Sequence, residues 1–309
     1  MAGGTQPFPL ETESSQNISE QVRDSIAAFA DQTPAIVSIS DIHGYLAEAR
    51  SALLTLTNHP DYEPVVTQSA DDYLHWADNN YVLLFNGDLI DRGPHNIETL
   101  QLVARLINEA PPGRVRVTLG NHEMAVLTPD LFHWDGWFCD SVGSEGRQTL
   151  FEAIQRGYVI AAYEGYSAVY AHAGHPETYD VETVNSRLVA AVGKLQDAHE
   201  TLTDTQVQQA VVDEYPLVLG MGDGHLKHPP AGLVWLDFQY LSQDAPSQIV
   251  GHTRHDTVTQ KGAVLCENVI RNTQGEPGGE SVVIETPDQI VSLRRTADGD
   301  VTTTEHILD

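Results

Sequence analysis

Short apolar runs alternate with stretches of helical apolar spacing through the first part of the chain. Residues 35–39 (AIVSI), bounded by Pro34 and the Ser40-Asp41 turn, predict a buried strand. Residues 45–56 follow with Leu46, Ala49, Leu53, Leu54 and Leu56 at roughly helical spacing. Residues 81–85 (YVLLF) predict a second strand, ending at Asn86-Gly87. Residues 95–110 predict a helix with Ile97, Leu100, Val103, Ala104 and Ile107 on one face, stopped by Pro111, Pro112 and Gly113. Residues 115–119 (VRVTL) predict a third strand, ending at Gly120. This alternation points to a parallel or mixed sheet layered by helices.

The second half has a different rhythm. Residues 158–163 and 167–171 predict two strands of a hairpin joined at Glu164-Gly165. Residues 179–214 predict helix with a polar face, and 195–214, rich in Gln, Glu and Asp, read as a solvated surface. Residues 220–230 form a loop dense in Gly, His and Pro, and 248–250 predict a short strand ending at Gly251. From Val264 onward, apolar runs at 281–284 and 289–293, set off by a glycine-rich turn at 275–279, predict antiparallel strands. There is no internal repeat. The expected organisation is a mobile tail over 1–24 and one domain over 25–309, with 176–230 as a cap over the main fold.

Composition narrows the classes of function. Among 309 residues, Lys and Arg number 16 and Asp and Glu 44, a formal net charge of −28. No basic surface is available to neutralise a run of phosphates, so a nucleic-acid duplex is excluded as partner. An apolar fraction of 41% excludes a disordered acidic chain. Two cysteines, Cys139 and Cys266, far apart and outside any CxxC, read as free buried thiols. Self-repulsion on this scale strains a compact fold, and high ionic strength removes most of it, the Debye length being about 3 Å at 1 M. A salt-adapted, halophilic protein is therefore expected. With neither a basic-then-apolar leader nor an apolar run of membrane-spanning length, the expected location is the cytoplasm.

The informative polar residues stand at the strand ends. The first three predicted strands run into Asp41-Ile42-His43-Gly44, Gly87-Asp88-Leu89-Ile90-Asp91-Arg92-Gly93 and Gly120-Asn121-His122-Glu123. Two later strands run into His172-Ala173-Gly174 and Gly251-His252-Thr253. Ligands gather at the carboxyl ends of strands in α/β sheets. Imidazole, carboxylate and amide oxygen together suit manganese, iron or zinc. Asp41 and His43, two apart, would share a face in an extended segment. Asp88, after a glycine, offers two oxygens for two ions. Asn121 adds a neutral oxygen, and His172 and His252 complete a second ligand set.

The ordered set DxHG, GDxxDRG, GNHE, HAG and GHT resembles the calcineurin-like metallophosphoesterases, and more narrowly their phosphoprotein-phosphatase branch. That branch includes Ser/Thr protein phosphatases, the phage-lambda-type phosphatase and symmetrical diadenosine tetraphosphatases. The resemblance is dense over 35–125 and sparse over 165–273. It implies an α/β fold in an α+β four-layer arrangement, with two packed mixed β-sheets flanked by helices. It implies two divalent ions, manganese first, with iron, zinc or nickel as alternatives. Asp41, His43 and Asp88 would hold the first ion, with Asp88 bridging, and Asn121, His172 and His252 the second. Arg92 would grip phosphate oxygens, His122 would protonate the leaving group, and Asp91 would orient His122. The implied reaction is hydrolysis of phosphate monoesters or phosphoanhydrides by direct attack of a bridging hydroxide.

This chain departs from the family pattern in several places. The first motif reads SDIHG, and Asn268 stands where relatives carry aspartate. No arginine occurs between residues 188 and 251, so the second phosphate-binding arginine of the protein phosphatases is missing. Arg254, Lys227 and His225 are the candidate replacements. GNHE resembles the protein phosphatases and HAG the tetraphosphatases, so the substrate expected is a phosphoprotein or a dinucleoside polyphosphate. A non-catalytic metal-binding sensor is the rival from another class. His175 reads as a loop residue and His228 as surface loop or pocket rim. His133, Trp134 and Trp137 read as hydrophobic packing with polar tips, the alternative being a base-stacking platform.

Overall fold

The computed structural model describes residues 5–11, 24–132, 134–200, 204–276 and 278–308. His133 lies outside the described residues. The elements are β1 (Ala35–Ile39), α1 (Leu46–Leu53), β2 (Val66–Gln68), β3 (Leu74–Trp76), β4 (Tyr81–Phe85), α2 (Asn96–Glu109) and β5 (Val115–Thr118). Then come α3 (Asn121–Leu127), α4 (Phe138–Ser141), α5 (Ser144–Gln155), β6 (Val159–Ile160), β7 (Ala162–Glu164) and β8 (Val169–Ala171). After α6 (Val181–Glu200), α7 (Asp204–Glu214) and α8 (Pro216–Leu219), the chain closes with β9 (Gln248–Val250), β10 (Thr259–Lys261), β11 (Val264–Cys266), β12 (Ser281–Glu285), β13 (Ile290–Arg295) and β14 (Val301–His306).

Two mixed sheets form the centre. One has the order β14-β13-β12-β1-β4-β5-β6 and the other β10-β11-β9-β8-β7. Within them β1, β4, β5 and β6 run parallel, as do β8, β9 and β11. Alternation along each strand divides the core. Ile36, Val82 and Leu84 from one sheet meet Tyr163, Tyr170, Ile249 and Leu265 from the other in a buried inner layer. Val37, Leu83 and Phe85 point outward into the larger cluster, where Leu100, Val103 and Ile107 of α2 also lie. This is the expected arrangement of two mixed sheets flanked by helices.

Three sequence expectations need correction. Residues 158–163 are not one strand. The run breaks at Ala161, so that β6 pairs with β5 in the first sheet and β7 with β8 in the second. The amides of Ala161 and Ala162 both donate to Asn185 Oδ1 of α6, which satisfies the crossing. Residues 5–11, expected in the tail, lie against the fold, with Phe8 and Leu10 buried. Asp24 also belongs to the fold, paired with the buried Arg116 of β5 at 3.1 Å. Segment 195–214 is not wholly solvated, because Leu195, Gln208, Val211 and Val212 are buried. In this region α6 packs against α5, α7 and β7. No helix among the described residues is long and apolar enough to cross a membrane.

A polar bolt joins the sheets beneath the strand ends. Glu267, after β11, accepts from Ser38 Oγ at 2.6 Å and Asn86 Nδ2 at 3.1 Å. Burial pushes its carboxyl up to about 8, with both hydrogen bonds opposing the shift. A carboxyl raised in the fold favours the protonated form, so its contribution is complete below the ordinary 4.5 and is lost as pH rises through about 8. Glu267→Gln should therefore narrow the difference in unfolding free energy between pH 6 and pH 9, by about a few kcal/mol at most, read from denaturant titrations at the two pH values. An undiminished difference in the variant would count against this origin for the alkaline loss of stability.

Candidate metal centre and cleft

The loops after β1, β4, β5, β8 and β9 meet at one edge of the two sheets. Two of them zip together, Asp41 N donating to Gly87 O at 3.0 Å, His43 N to Asp88 O at 2.9 Å and Gly44 N to Leu89 O at 2.9 Å. The turns are left-handed. Asp41, His43, Asp88, Asp91, Arg92 and His252 are six of the nine non-glycine residues with positive φ among those described. Asp41 and His43 are therefore not neighbours on an extended strand face, as their spacing suggests. They are aimed by a strained turn, of the kind retained where function requires it. Gly120 lets the loops close, because a Cβ there would stand 2.3 Å from Asp88 N.

Each carboxylate is held by one oxygen and leaves the other bare. Asp41 Oδ2 accepts from His252 N at 2.9 Å, and Asp41 Oδ1 has no partner. Asp88 Oδ1 accepts from His122 N at 3.0 Å, and Asp88 Oδ2 has no hydrogen-bond partner. The imidazoles are similarly set. His43 Nδ1 donates to Ile90 O at 2.8 Å and His172 Nδ1 to Asn86 O at 2.9 Å, so each turns Nε2 and its lone pair toward Asp88. Asp88 Oδ2 lies 3.5 Å from His43 Nε2 and 3.3 Å from His172 Nε2. His43 Nε2 is 3.8 Å from Asp41 Oδ1, while His172 Nε2 is 3.3 Å from Asn121 Oδ1 and 3.2 Å from His252 Nδ1.

These spacings suit donors around cations bonded at about 2.1 Å, and buried unpartnered donors are costly without one. Ligand atoms within 4.8 Å of one another form two groups, His43–Asp88–His122 and Asp88–His172–His252, with Asp88 common to both. The residues present fit metal ions. The electrostatics agree. Burial holds His43 and His252 well below the usual histidine range, and neutral imidazoles are what metals bind. Burial lifts the Asp41 carboxyl to about 6, against the pull of His172. Burial opposes the His172 cation, but Asp88 and Asp41 outweigh it and raise the group to about 9. The cluster is thus built around a positive charge.

Glu123, not assigned a role from the sequence, braces the centre. Its carboxylate accepts from Asp88 N and Leu89 N at 2.9 Å and from Gly120 N at 3.2 Å. Its signal is legible as the last letter of GNHE, a helix-opening position from which glutamate reaches back to the preceding amide. Beside the metal ligands, His122 Nδ1 donates to Asp91 Oδ2 at 2.6 Å, leaving Nε2 3.3 Å from Arg92 Nη2. Asp91 Oδ1 accepts from Cys139 N at 2.9 Å. Arg92 is anchored by a hydrogen bond from Nη1 to Asn272 Oδ1, a partner the sequence does not reveal.

A cleft of about 510 Å³ opens over this pair, lined by Arg92, Asn121, His122, Lys227 and three tryptophans among others. Of the candidates for the missing arginine, Lys227 and His225 reach the cleft. Arg254 does not line it: Nε donates to Ile270 O and Nη1 pairs with Asp256. Burial lowers the Lys227 ammonium, with Asp88 opposing the shift and Arg92 adding to it. His175 sits in the loop after β8, its amide held by Gln248 Oε1 at 2.8 Å.

Two facing sheets with buried metal donors where their parallel strands end define an α/β metal-site sandwich. The sequence model of the calcineurin-like phosphoesterases matches residues 34–253, and the chain belongs to that family. A symmetrical bis(5'-nucleosyl)-tetraphosphatase of Methylococcus capsulatus is 30% identical over 158 residues, 50% of this chain and 48% of that protein. Serine/threonine-protein phosphatase 2 of Salmonella typhimurium is 34% identical over 135 residues, 40% of this chain and 58% of that protein. The matches thus span about half the length of these relatives. A cold-active protein-tyrosine phosphatase of a psychrophilic Shewanella shares the fold over 97% of this chain and 87% of its own, with a TM-score of 0.59 at 18% identity.

Proposed function

We propose that this protein is a dinuclear-metal-dependent phosphoesterase that hydrolyses phosphate monoesters or phosphoanhydrides without a covalent intermediate. The observation that carries the reading is Asp88 Oδ2, bare and shared between the His43 and His172 ligand sets, next to the His122–Asp91 pair. Divalent ions held by Asp41, His43 and Asp88 and by Asp88, Asn121, His172 and His252 would supply Lewis-acid stabilisation of charge on the phosphoryl group. The chain's own residues do the rest. Arg92 offers a planar donor fork to phosphoryl oxygens, its side chain fixed by Asn272. His122, when protonated, donates from Nε2 to the departing oxygen, and Asp91 holds the ring and steadies its charge. Lys227 offers a second cation to the phosphate. It lines the cleft, with the charges of Asp88, Asp237 and Asp41 acting on its ammonium.

The test is a substrate screen. The manganese-loaded protein in molar KCl is given a phosphoserine peptide, diadenosine tetraphosphate and p-nitrophenyl phosphate. Hydrolysis of at least one, lost on chelation, supports the reading; no hydrolysis of any refutes it. Among the substrates that turn over, a ratio of kcat/KM above about 100 assigns the class. HAG and the tetraphosphatase relatives favour a dinucleoside polyphosphate as the second reading.

Two variants probe the phosphate grip. Arg92→Ala should lower kcat/KM by about 10²-fold, as expected for loss of a charged donor aimed at developing charge. Lys227→Met should cost about tenfold, mostly through KM. A Lys227→Met enzyme with unaltered KM would remove Lys227 from phosphate binding.

A further inference from the structure

One wall of the cleft is aromatic, and the metal ligands do not explain it. The Trp137 ring stacks on the His122 imidazole with centroids 5.0 Å apart and planes at 7°. Trp134 lies 5.1 Å from the same imidazole and 5.0 Å from Trp137, tilted at 48°. The buried Trp235 closes the base, 6.1 Å from Trp134. Leu226 completes the apolar side. Trp137 is 38% exposed, one of four large apolar side chains left open among the described residues, and the only one of the four in this cleft. Trp137 and the half-buried Trp134 both line the cleft beside the group assigned to protonate the leaving oxygen.

We propose that this cleft selects phosphate esters whose leaving oxygen is attached directly to an aromatic ring, of the phosphotyrosine type, over alkyl esters such as phosphoserine. The inference rests on the phosphoesterase reading and deepens it by naming the substrate class. Distance favours an aryl ester over a nucleotide. The ring of an aryl phosphate begins one bond from the ester oxygen, and that oxygen must lie within reach of His122 Nε2. Aromatic walls about 5 Å from the His122 ring are therefore placed for it. A nucleobase is separated from its phosphate by a ribose and would bear on surface farther out. In the step, a water oxygen bonds to phosphorus as the P–O(aryl) bond breaks. The bonding pair leaves on the aryl oxygen, which takes a proton from His122 Nε2. Of the two water protons, one stays on phosphate and the other restores His122.

The experiment compares phosphotyrosine and phosphoserine peptides of identical flanking sequence on the wild type, Trp137→Ala and Trp134→Ala, all manganese-loaded. The intrinsic reactivity difference between the esters is common to every protein and cancels in the comparison. The aryl-to-alkyl ratio of kcat/KM should fall about tenfold in either variant. A binding measurement on the same proteins uses phenylphosphonate and methylphosphonate in calorimetry. The phenyl compound should bind about tenfold tighter to the wild type, with that margin lost in the variants. A ratio unchanged within twofold overturns the inference. So does an equal loss on both peptides, which would leave the tryptophans only supporting His122. A selective loss on diadenosine tetraphosphate, with the peptide ratio intact, also overturns it in favour of a nucleobase. Wild-type protein inert toward every phosphate would instead sink the phosphoesterase reading, an outcome distinct from normal turnover with an unchanged ratio.

Discussion

Asp88→Asn should lower kcat by about 10³ and reduce bound metal from two ions per chain to one or fewer. The substitution keeps the size of the side chain and the oxygen that accepts from His122 N. What it removes is the charge on the oxygen that faces His43 and His172. In the present arrangement burial alone would raise the Asp88 carboxyl, but His172 and His122 hold it well below the usual range. The neighbouring histidines thus favour the charged form of Asp88. A neutral amide shared between two ligand sets loses several kcal/mol of charge stabilisation, each 1.36 kcal/mol being tenfold in rate. Metal content by mass spectrometry, read beside turnover, separates loss of the centre from loss of the fold. Full turnover with two ions retained would end the shared-carboxylate reading.

The second large effect is expected at His122. His122→Asn should cost about 10²- to 10³-fold in kcat, within the range of a positioned general acid, with metal content intact. The loss should depend on the leaving group. A phenol-type oxygen, with a pKa near 10, departs with less help than an alkoxide, so a phosphoserine peptide should suffer more than a phosphotyrosine peptide. Asp91→Asn should show a deficit of the same kind, because an amide has one acceptor oxygen for the two donors Asp91 serves, Cys139 N and His122 Nδ1, and its charge is gone. Equal losses on both esters would mean that His122 serves phosphate binding rather than proton delivery.

Much of this centre is legible in the amino-acid sequence alone. The residues after five apolar runs name all six proposed ligands and the His122–Asp91–Arg92 group, because a short buried strand ending in glycine and a polar residue is a local pattern. The runs give a helix-layered sheet, and the four-layer arrangement with two packed sheets comes from the family resemblance. Less legible is anything set by contacts across long separations. The continuous apolar run 158–163 cannot disclose that it divides between two sheets, since the division is made by Asn185 on a later helix. Nor can spacing show that Asp41 and His43 work from a left-handed turn. The packing of Phe8 and Leu10 in a segment that reads as a tail depends on a surface formed elsewhere.

The choice among Arg254, Lys227 and His225 illustrates the same boundary. All three are equal as letters; the fold commits Arg254 to Ile270 O and Asp256 and leaves Lys227 and His225 on the cleft. Trp134 and Trp137 are readable as apolar packing or a base-stacking platform, and their contact with the His122 ring is visible only in the tertiary structure. By itself, then, the sequence named the candidate donors and the strand–helix alternation of the first half, because both are written in local composition and periodicity. The tertiary structure alone decided which cations and rings line the cleft, because side-chain direction there is fixed by partners far away in the chain.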